Sequence, residues 1–452
     1  MPRRALLAVV GLALACGSKT ALLPGGAGQG ASSGSGGGGG GGATPLAVKC
    51  TAALLDGAPT PIQGYCPTRA NQAAGNGPRA PKIVWSVTPF PIATPEDYLP
   101  AEVVVDATGR AYIAINASPQ NAAGGPNQIL AVNADGSVAW TSTFSTAIGQ
   151  LALGRDGTLW FLQQPLPPSM GGPFGGPLIV GGLSAEGVPT AGFEITGGPG
   201  MPQLGAYAAM AIASDGSLFL GAQGSLARFA TNGALRWQAY AYLASPLIVG
   251  PDDGVVAAGG GQLQAFDAAG GPTWTGPQAS LAAIDAQGDV VALSSPLGAT
   301  LSLMTLGAGG LTLQDAPLGS PVINASRLAV AGDGTALVLL ANEVSSPGLT
   351  KTLVQILAVE PSGATRWTTP LEVTLPYDPA DLTTHYGLFV DGSGTVVVTA
   401  GSVTGLDLAS GSVLWTLLPA SGKSCLRPAV LGAGGSIVAT QCDGSVFLAR
   451  DP

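Results

Sequence analysis

The stretch Ala211-Ile-Ala-Ser-Asp-Gly-Ser-Leu-Phe-Leu220, followed by Leu226-Ala-Arg-Phe-Ala-Thr-Asn-Gly-Ala-Leu-Arg-Trp237, decides how the chain is read. Short apolar runs flank Asp215-Gly216 and others flank Asn232-Gly233, and such dipeptides supply the backbone geometry of tight hairpin turns. The unit reads as short antiparallel strands ending on a strand that carries Trp237. A second copy runs Leu388-Phe-Val-Asp-Gly-Ser-Gly-Thr-Val-Val-Val398 and then Gly405-Leu-Asp-Leu-Ala-Ser-Gly-Ser-Val-Leu-Trp415. Turns of the same kind open further units at Asp106 to Gly109, Asp156-Gly157, Asp252 to Gly254, Gln287-Gly288, Asp333-Gly334 and Gly432 to Gly435. That makes eight.

The tryptophans test the count independently. Trp85, Trp140, Trp237, Trp274, Trp367 and Trp415 are spaced by 55, 97, 37, 93 and 48 residues, so the two long gaps each hide a unit without the Trp. Those units open at Asp156 and Gln287. The mean period from Trp85 to Pro452 is about 46 residues, the length of a four-stranded propeller blade. The expected fold is all-β, an eight-bladed β-propeller of four-stranded antiparallel blades over residues 81–452. A β-helix has shorter repeats and would not space Trp in this way. Runs such as Val103-Val104-Val105, Leu337 to Leu340 and Val396-Val397-Val398 do not alternate, which suits strands covered on both faces. They also explain a mean hydropathy of +0.38 without a second long apolar segment. The last unit supplies three strands before Pro452, while Lys82 to Thr88 is an orphan strand bearing Trp85. The ring is therefore expected to close by that strand joining the last blade.

The recurring order of Asp-Gly turn, apolar strand, Leu-x-x-Leu/Phe-Asp, Gly and Trp resembles the repeat of the pyrroloquinoline-quinone-like propellers. That superfamily includes quinoprotein alcohol dehydrogenases and the outer-membrane lipoprotein that assists β-barrel assembly. For a dehydrogenase the resemblance implies an adjacent Cys-Cys pair, a calcium ion and an aspartate base. No Cys-Cys pair is present, so no cofactor ligand is carried over and no cofactor is expected.

At the other end, Arg3 and Arg4 precede eleven apolar residues from Ala5 to Ala15, an export signal too short to span a bilayer. The run closes on Ala13-Leu-Ala-Cys16, which resembles the lipobox of bacterial lipoproteins and implies acylation of Cys16 after removal of residues 1–15. Lacking an aspartate after Cys16, the mature chain is expected at the outer membrane, on its periplasmic or cell-surface side. From Gly25 to Ala43 nearly every residue is Gly, Ser or Ala, so residues 16–49 read as a disordered, flexible tether reaching roughly 30 Å. Residues 50–80 read as a lead-in stapled by Cys50 and Cys66. The remaining pair, Cys425 and Cys442, sits symmetrically about the turn at Gly432 to Gly435, and an oxidising compartment favours a bridge there.

A net charge of −9 with 17 scattered Lys and Arg argues against nucleic acid. One histidine, His385, and no Cys-x-x-Cys spacing leave a transition metal without ligands, so no metal site is expected. The Asp-Gly pairs read as turns; Asp252-Asp253 and Asp391 are the ones with any claim on a cation. Function is then expected in the loops. First and third turns are short, whereas the expansions fall in the opposite set: Asn116 to Gln128, Gln163 to Pro177, Asn342 to Lys351, and the links Val87 to Pro100, Phe193 to Tyr207 and Thr368 to Thr384. These segments carry Phe90, Tyr98, Met170, Phe174 and Tyr377 beside Glu343 and Asp378, aromatic anchors amid carboxylates that suit a protein or peptide partner. The expected function is a non-catalytic binding or scaffold propeller of the cell envelope. The alternative is a hydrolase or lyase working through carboxylates, which needs no His or Cys.

Overall fold

The computed structural model describes residues 58, 60, 71–88, 98–117, 127–164, 178–195, 209–222, 224–241, 247–258, 261–294, 300–319, 325–346, 349–374, 386–418, 426–441 and 444–452. They form eight four-stranded antiparallel sheets arranged as an eight-bladed propeller. Blade 1 spans 98–144, blade 2 147–195, blade 3 209–239, blade 4 248–278, blade 5 281–319, blade 6 325–374 and blade 7 387–417. Blade 8 takes three strands from 430–450 and its outer strand from Lys82–Val87, with Lys82 opposite Arg450 and Val87 opposite Val446. The expected closure is thus present: the two ends of the ring are stitched by one ladder, which removes two otherwise open sheet edges.

Burial explains the sequence pattern strand by strand. In blade 3 the third strand, Ser225–Phe229, is buried at every position, while the outer strand Leu235–Ala239 alternates between exposed and half-buried. First strands of successive blades adjoin one another and form the inner wall. Rather than one core there are eight, each at a blade junction; one example joins Leu337, Leu339 and Ile356 of blade 6 to Leu388, Val396 and Val398 of blade 7. Another joins Val103 and Ile113 of blade 1 to Val438 and Leu448 of blade 8. Each fully buried Leu, Ile or Val is worth about 1.5–3 kcal/mol, and all of it depends on the neighbouring blade.

Turn chemistry sets the rims. In the first turn of blade 1, Asp106 Oδ1 accepts the N–H of Thr108 at 2.8 Å and of Arg110 at 3.0 Å, and Gly109 takes φ +86°. The third turns carry a second device. A glycine with positive φ lies under a planar side chain from the preceding blade: Gly136 under Trp85, Gly187 under Trp140, Gly270 under Trp237, Gly310 under Trp274 and Gly411 under Trp367. Trp85, Trp140, Trp237 and Trp367 also donate their indole N–H to a carbonyl of that turn, at 2.8 to 2.9 Å. Blades 2 and 5, which lack the Trp, present Phe193 over Gly233 and Gln314 over Gly363. Blade 8 has no third turn, because its third strand, Val446–Arg450, and its outer strand, Lys82–Val87, are not consecutive in the chain.

Gly187 and Gly157 separate the two demands on such glycines. Both have positive φ, at +80° and +81°, but a Cβ at Gly187 would meet Trp140 Cδ2 at 2.6 Å while one at Gly157 meets nothing within 4 Å. Gly157→Ala is expected to cost about 1 kcal/mol, the left-handed backbone penalty alone. Gly187→Ala is expected to cost about 1–3 kcal/mol more, because the indole must be displaced. Urea denaturation of the two variants measures the difference; equal midpoints would remove the indole from the account.

Candidate functional site

An up-and-down four-stranded blade places its first and third turns on one face of the disc and its second turn and inter-blade link on the other. The first face is compact, and its turns are tied by their own side chains. Arg228, 5% exposed, is its most connected side chain. Its Nε donates to Ser217 Oγ at 2.7 Å, Nη1 to the Ala268 carbonyl at 2.9 Å, and Nη2 to Asp215 at 3.2 Å and Asp253 at 3.0 Å, while the guanidinium lies 4.9 Å from the Phe219 ring centre. Asp253 also accepts the Ser214 N–H and hydroxyl, each at 2.7 Å. Burial works to raise the Asp215 carboxyl, but the Ser217 hydroxyl and N–H, then Arg236 and Arg228, outweigh it and hold it well below the usual range. Its stabilising contribution is therefore present above the ordinary aspartate value and is lost only as pH falls through the depressed one.

The lead-in lies on the same face. Thr60 pairs with Val105 of blade 1 and donates its hydroxyl to the Leu431 carbonyl of blade 8 at 2.6 Å. Asn71 reaches the Leu328 carbonyl of blade 6 at 2.6 Å, and Gln72 bridges Val390 of blade 7. Thr60 and residues 71–77 thus touch the first strands of four blades. Asp391, fully buried, anchors them: Oδ2 accepts the Gly77 N–H at 2.6 Å, and Oδ1 accepts the N–H groups of Ser393 and Thr395, each at 2.8 Å. Asp253 and Asp391, the aspartates with a claim on a cation, are thus engaged with Arg228 and with N–H donors respectively.

The opposite face presents the strand ends joined by the long connections, residues 88–97, 118–126, 165–177, 196–208 and 375–386, which lie almost wholly outside the described residues. One expected loop proves to be largely strand, and a second begins as one. Asn342 to Lys351 is a hairpin in which Asn342 pairs with Leu353 and Ser346 with Leu349, and blade 6's outer strand runs on to Thr374 against Lys351. Its alternating β-branched and polar residues, Val344, Thr350, Thr352 and Val373, extend a ladder as readily as they fill a loop. Of the candidate residues, Tyr98 begins the first strand of blade 1 opposite Ala117, and Glu343 lies opposite Thr352 in the blade 6 hairpin. Phe90, Met170, Phe174, Tyr377 and Asp378 lie outside the described residues, as do Cys16, Cys50, Cys66, Cys425, Cys442 and His385. Leu426 bridges Gln441.

Along the inner wall, the carboxylate carried by the described first strands is Glu102, and its Oε2 accepts the Leu151 N–H of blade 2 at 2.7 Å. Asn116 likewise spans blades 1 and 2, donating to the Ile148 carbonyl at 2.8 Å and accepting its N–H at 2.7 Å. Sequence reasoning missed Arg228, Asn116 and Glu102, because a polar residue inside an apolar strand gives no sign of the blade it will meet.

Together the tight first turns, indole-capped third turns and outer-strand closure define an eight-bladed β-propeller. A family model described as outer membrane protein assembly factor BamB matches residues 286–451, from the first turn of blade 5 through the third strand of blade 8. Among solved structures, BamB from Moraxella catarrhalis superposes with a TM-score of 0.50 at 18% identity, covering 82% of this chain and 98% of that one. A streptogramin B lyase follows at 0.42 and 11% identity, covering 81% and 97%, and the Pan2 WD40 domain of Neurospora crassa at 0.41 and 13%, covering 65% and 86%. No curated protein matches the chain in sequence.

Arg228→Ala is expected to destabilise the ring by about 3 kcal/mol, since it strands the buried Asp253 carboxylate. Arg236→Ala, which removes a 43% exposed partner of Asp215, is expected to change stability by less than about 1 kcal/mol. Paired thermal melts read both; similar effects from the two would show that the buried network carries no special weight.

Proposed function

We propose that this chain is a cell-envelope lipoprotein that binds a protein or peptide partner and catalyses nothing. One observation carries the reading: long connections gather on one face of a rigid ring whose other face is tied up in its own turns. Recognition concentrates in loops held by a rigid scaffold, and a ring with eight buried junctions is such a scaffold. The likeness to the assembly-factor propeller supports envelope protein partners, and the export signal, the lipobox-like Cys16 and the Gly-rich segment support attachment to the outer membrane by lipid. A carboxylate-based hydrolase or lyase would need paired acids on the inner wall, and Glu102 is already committed to the Leu151 N–H.

The test is capture from envelope extracts by the acyl-free chain beginning at Pro45. An envelope protein retained by this chain and lost when residues 165–177 are deleted is the expected result; equal retention by both would overturn a role for the elaborated face. In the same exported protein, peptide mapping without reduction is expected to recover Cys425 linked to Cys442. Recovery of either linked to Cys50 or Cys66 would refute that pairing.

A further inference from the structure

The ring contains a template for what fills the gap between adjacent blades on the compact face. At the junction of blades 1 and 2 the Ala185 carbonyl accepts both the Trp140 indole N–H at 2.8 Å and Arg110 Nη1 at 2.6 Å. At the junction of blades 3 and 4 the Ala268 carbonyl accepts the Trp237 indole N–H and Arg228 Nη1, each at 2.9 Å. Both lone pairs of one turn carbonyl are thus used, one by an indole and one by a guanidinium.

Blade 5 has neither donor. Gln314 stands opposite Thr305 in the pairing where Trp237 stands opposite Arg228, so Gln314 replaces the indole and Thr305 replaces that arginine. Asp289 closes the first turn where Arg110 does in blade 1. The carbonyl equivalent to Ala185 and Ala268 is that of Pro361, in the third turn of blade 6, and among the described residues no group donates to it. The result is a cleft of about 370 Å³ between blades 5 and 6, bordered by Thr305, Gln314, Asp289 and Pro361 themselves. Val291, Leu303 and Leu313 form its apolar side, and Asp285, Asp333 and Glu360 add carboxylates. Arg366 already pairs with Asp333 at 3.3 Å and Glu360 at 3.2 Å, which leaves the two blade 5 acids without a described cation. Burial holds the Asp285 carboxyl above its ordinary value, against the N–H bonds it accepts from Asp289 and Gln287.

We propose that this cleft receives an arginine side chain from a protein partner, its stem along the apolar wall and its guanidinium between the Pro361 carbonyl and the blade 5 carboxylates. A planar fork of donors matches both kinds of acceptor, and the ring seats its own Arg110 and Arg228 in the corresponding place. Leu311 and Leu313, 70% and 62% exposed, offer apolar contact for the residues flanking the arginine. The other junction without a Trp, between blades 2 and 3, does not share this character. Phe193 stacks there on Gly233, and Arg155 lines its cleft beside Asp156 and Asp215. The proposed site lies on the compact face and stands apart from the reading of the long loops.

The probe is the blocked tripeptide acetyl-Gly-Arg-Gly-amide, titrated at low ionic strength against the chain from Pro45 onward, which forms one compact unit, with saturation-transfer NMR as readout. Saturable binding is expected, weakened about fivefold by Asp289→Asn, unchanged by Asp156→Asn, and lost in Gln314→Trp, which restores the indole and fills the cleft. Gln314→Trp is also expected to raise the melting temperature by about two degrees. Absence of saturation with the parent chain would overturn the proposal, as would undiminished binding by Asp289→Asn. Equal affinity for acetyl-Gly-Lys-Gly-amide would reduce the site to a non-specific acidic surface and overturn the arginine assignment. If Gln314→Trp does not fold, the Asp289→Asn and lysine comparisons decide by themselves.

Discussion

Each blade is a small sheet whose inner strands are apolar on both faces, and no blade buries those faces by itself. Burial comes from the blades to either side, so the eight interfacial cores are one cooperative system that exists only while the ring is closed. Closure rests on the ladder between Lys82–Val87 and Val446–Arg450. Without it blades 8 and 1 would each expose an apolar face, and a sheet edge would open to pairing with another chain. The lead-in adds a second tie at the same seam, since Thr60 touches blades 8 and 1 at once, and it is fixed to blade 7 by the charge-assisted hydrogen bond that Gly77 N–H donates to Asp391.

Local geometry repeats this logic at the rim. A flat indole needs a flat partner, and a third-turn glycine with positive φ supplies one while its neighbour's carbonyl receives the indole N–H. The device couples an outer strand to the next blade's turn at five of the junctions described. Where the Trp is replaced, the replacement has consequences. Phe193 keeps the stacking and gives up the hydrogen bond, whereas Gln314 covers the glycine with a smaller amide and leaves an acidic cleft. The same carbonyl positions that are saturated at Ala185 and Ala268 are open at Pro361.

The two faces of the disc have been shaped by different pressures. Turns on the compact face are short because their Asp side chains and glycines already satisfy the backbone, and because the lead-in and the Arg228 network lie across them. The opposite face is where the chain accommodates long connections and the blade 6 hairpin. The proposed envelope-binding role fits that division, since the long connections lie opposite the tied turns.

Fold class, blade number, the two blades without Trp and the closing strand were all legible in the sequence, because each follows from periodicity and turn chemistry within about 46 residues. The division of short and long connections was legible for the same reason, although residues 342–351 and 368–374 lengthen strands instead of looping, a choice that depends on having a strand alongside to pair with. What only the tertiary structure decided are the contacts between blades. Arg228 meeting Ala268 and Asp253, Asn71 meeting Leu328, and the open Pro361 carbonyl facing Gln314 and Asp289 join residues whose proximity is set by the ring and by no local pattern. Sequence spacing determines what each blade is; the geometry of eight blades closing on themselves determines which side chains find a partner and which are left facing solvent.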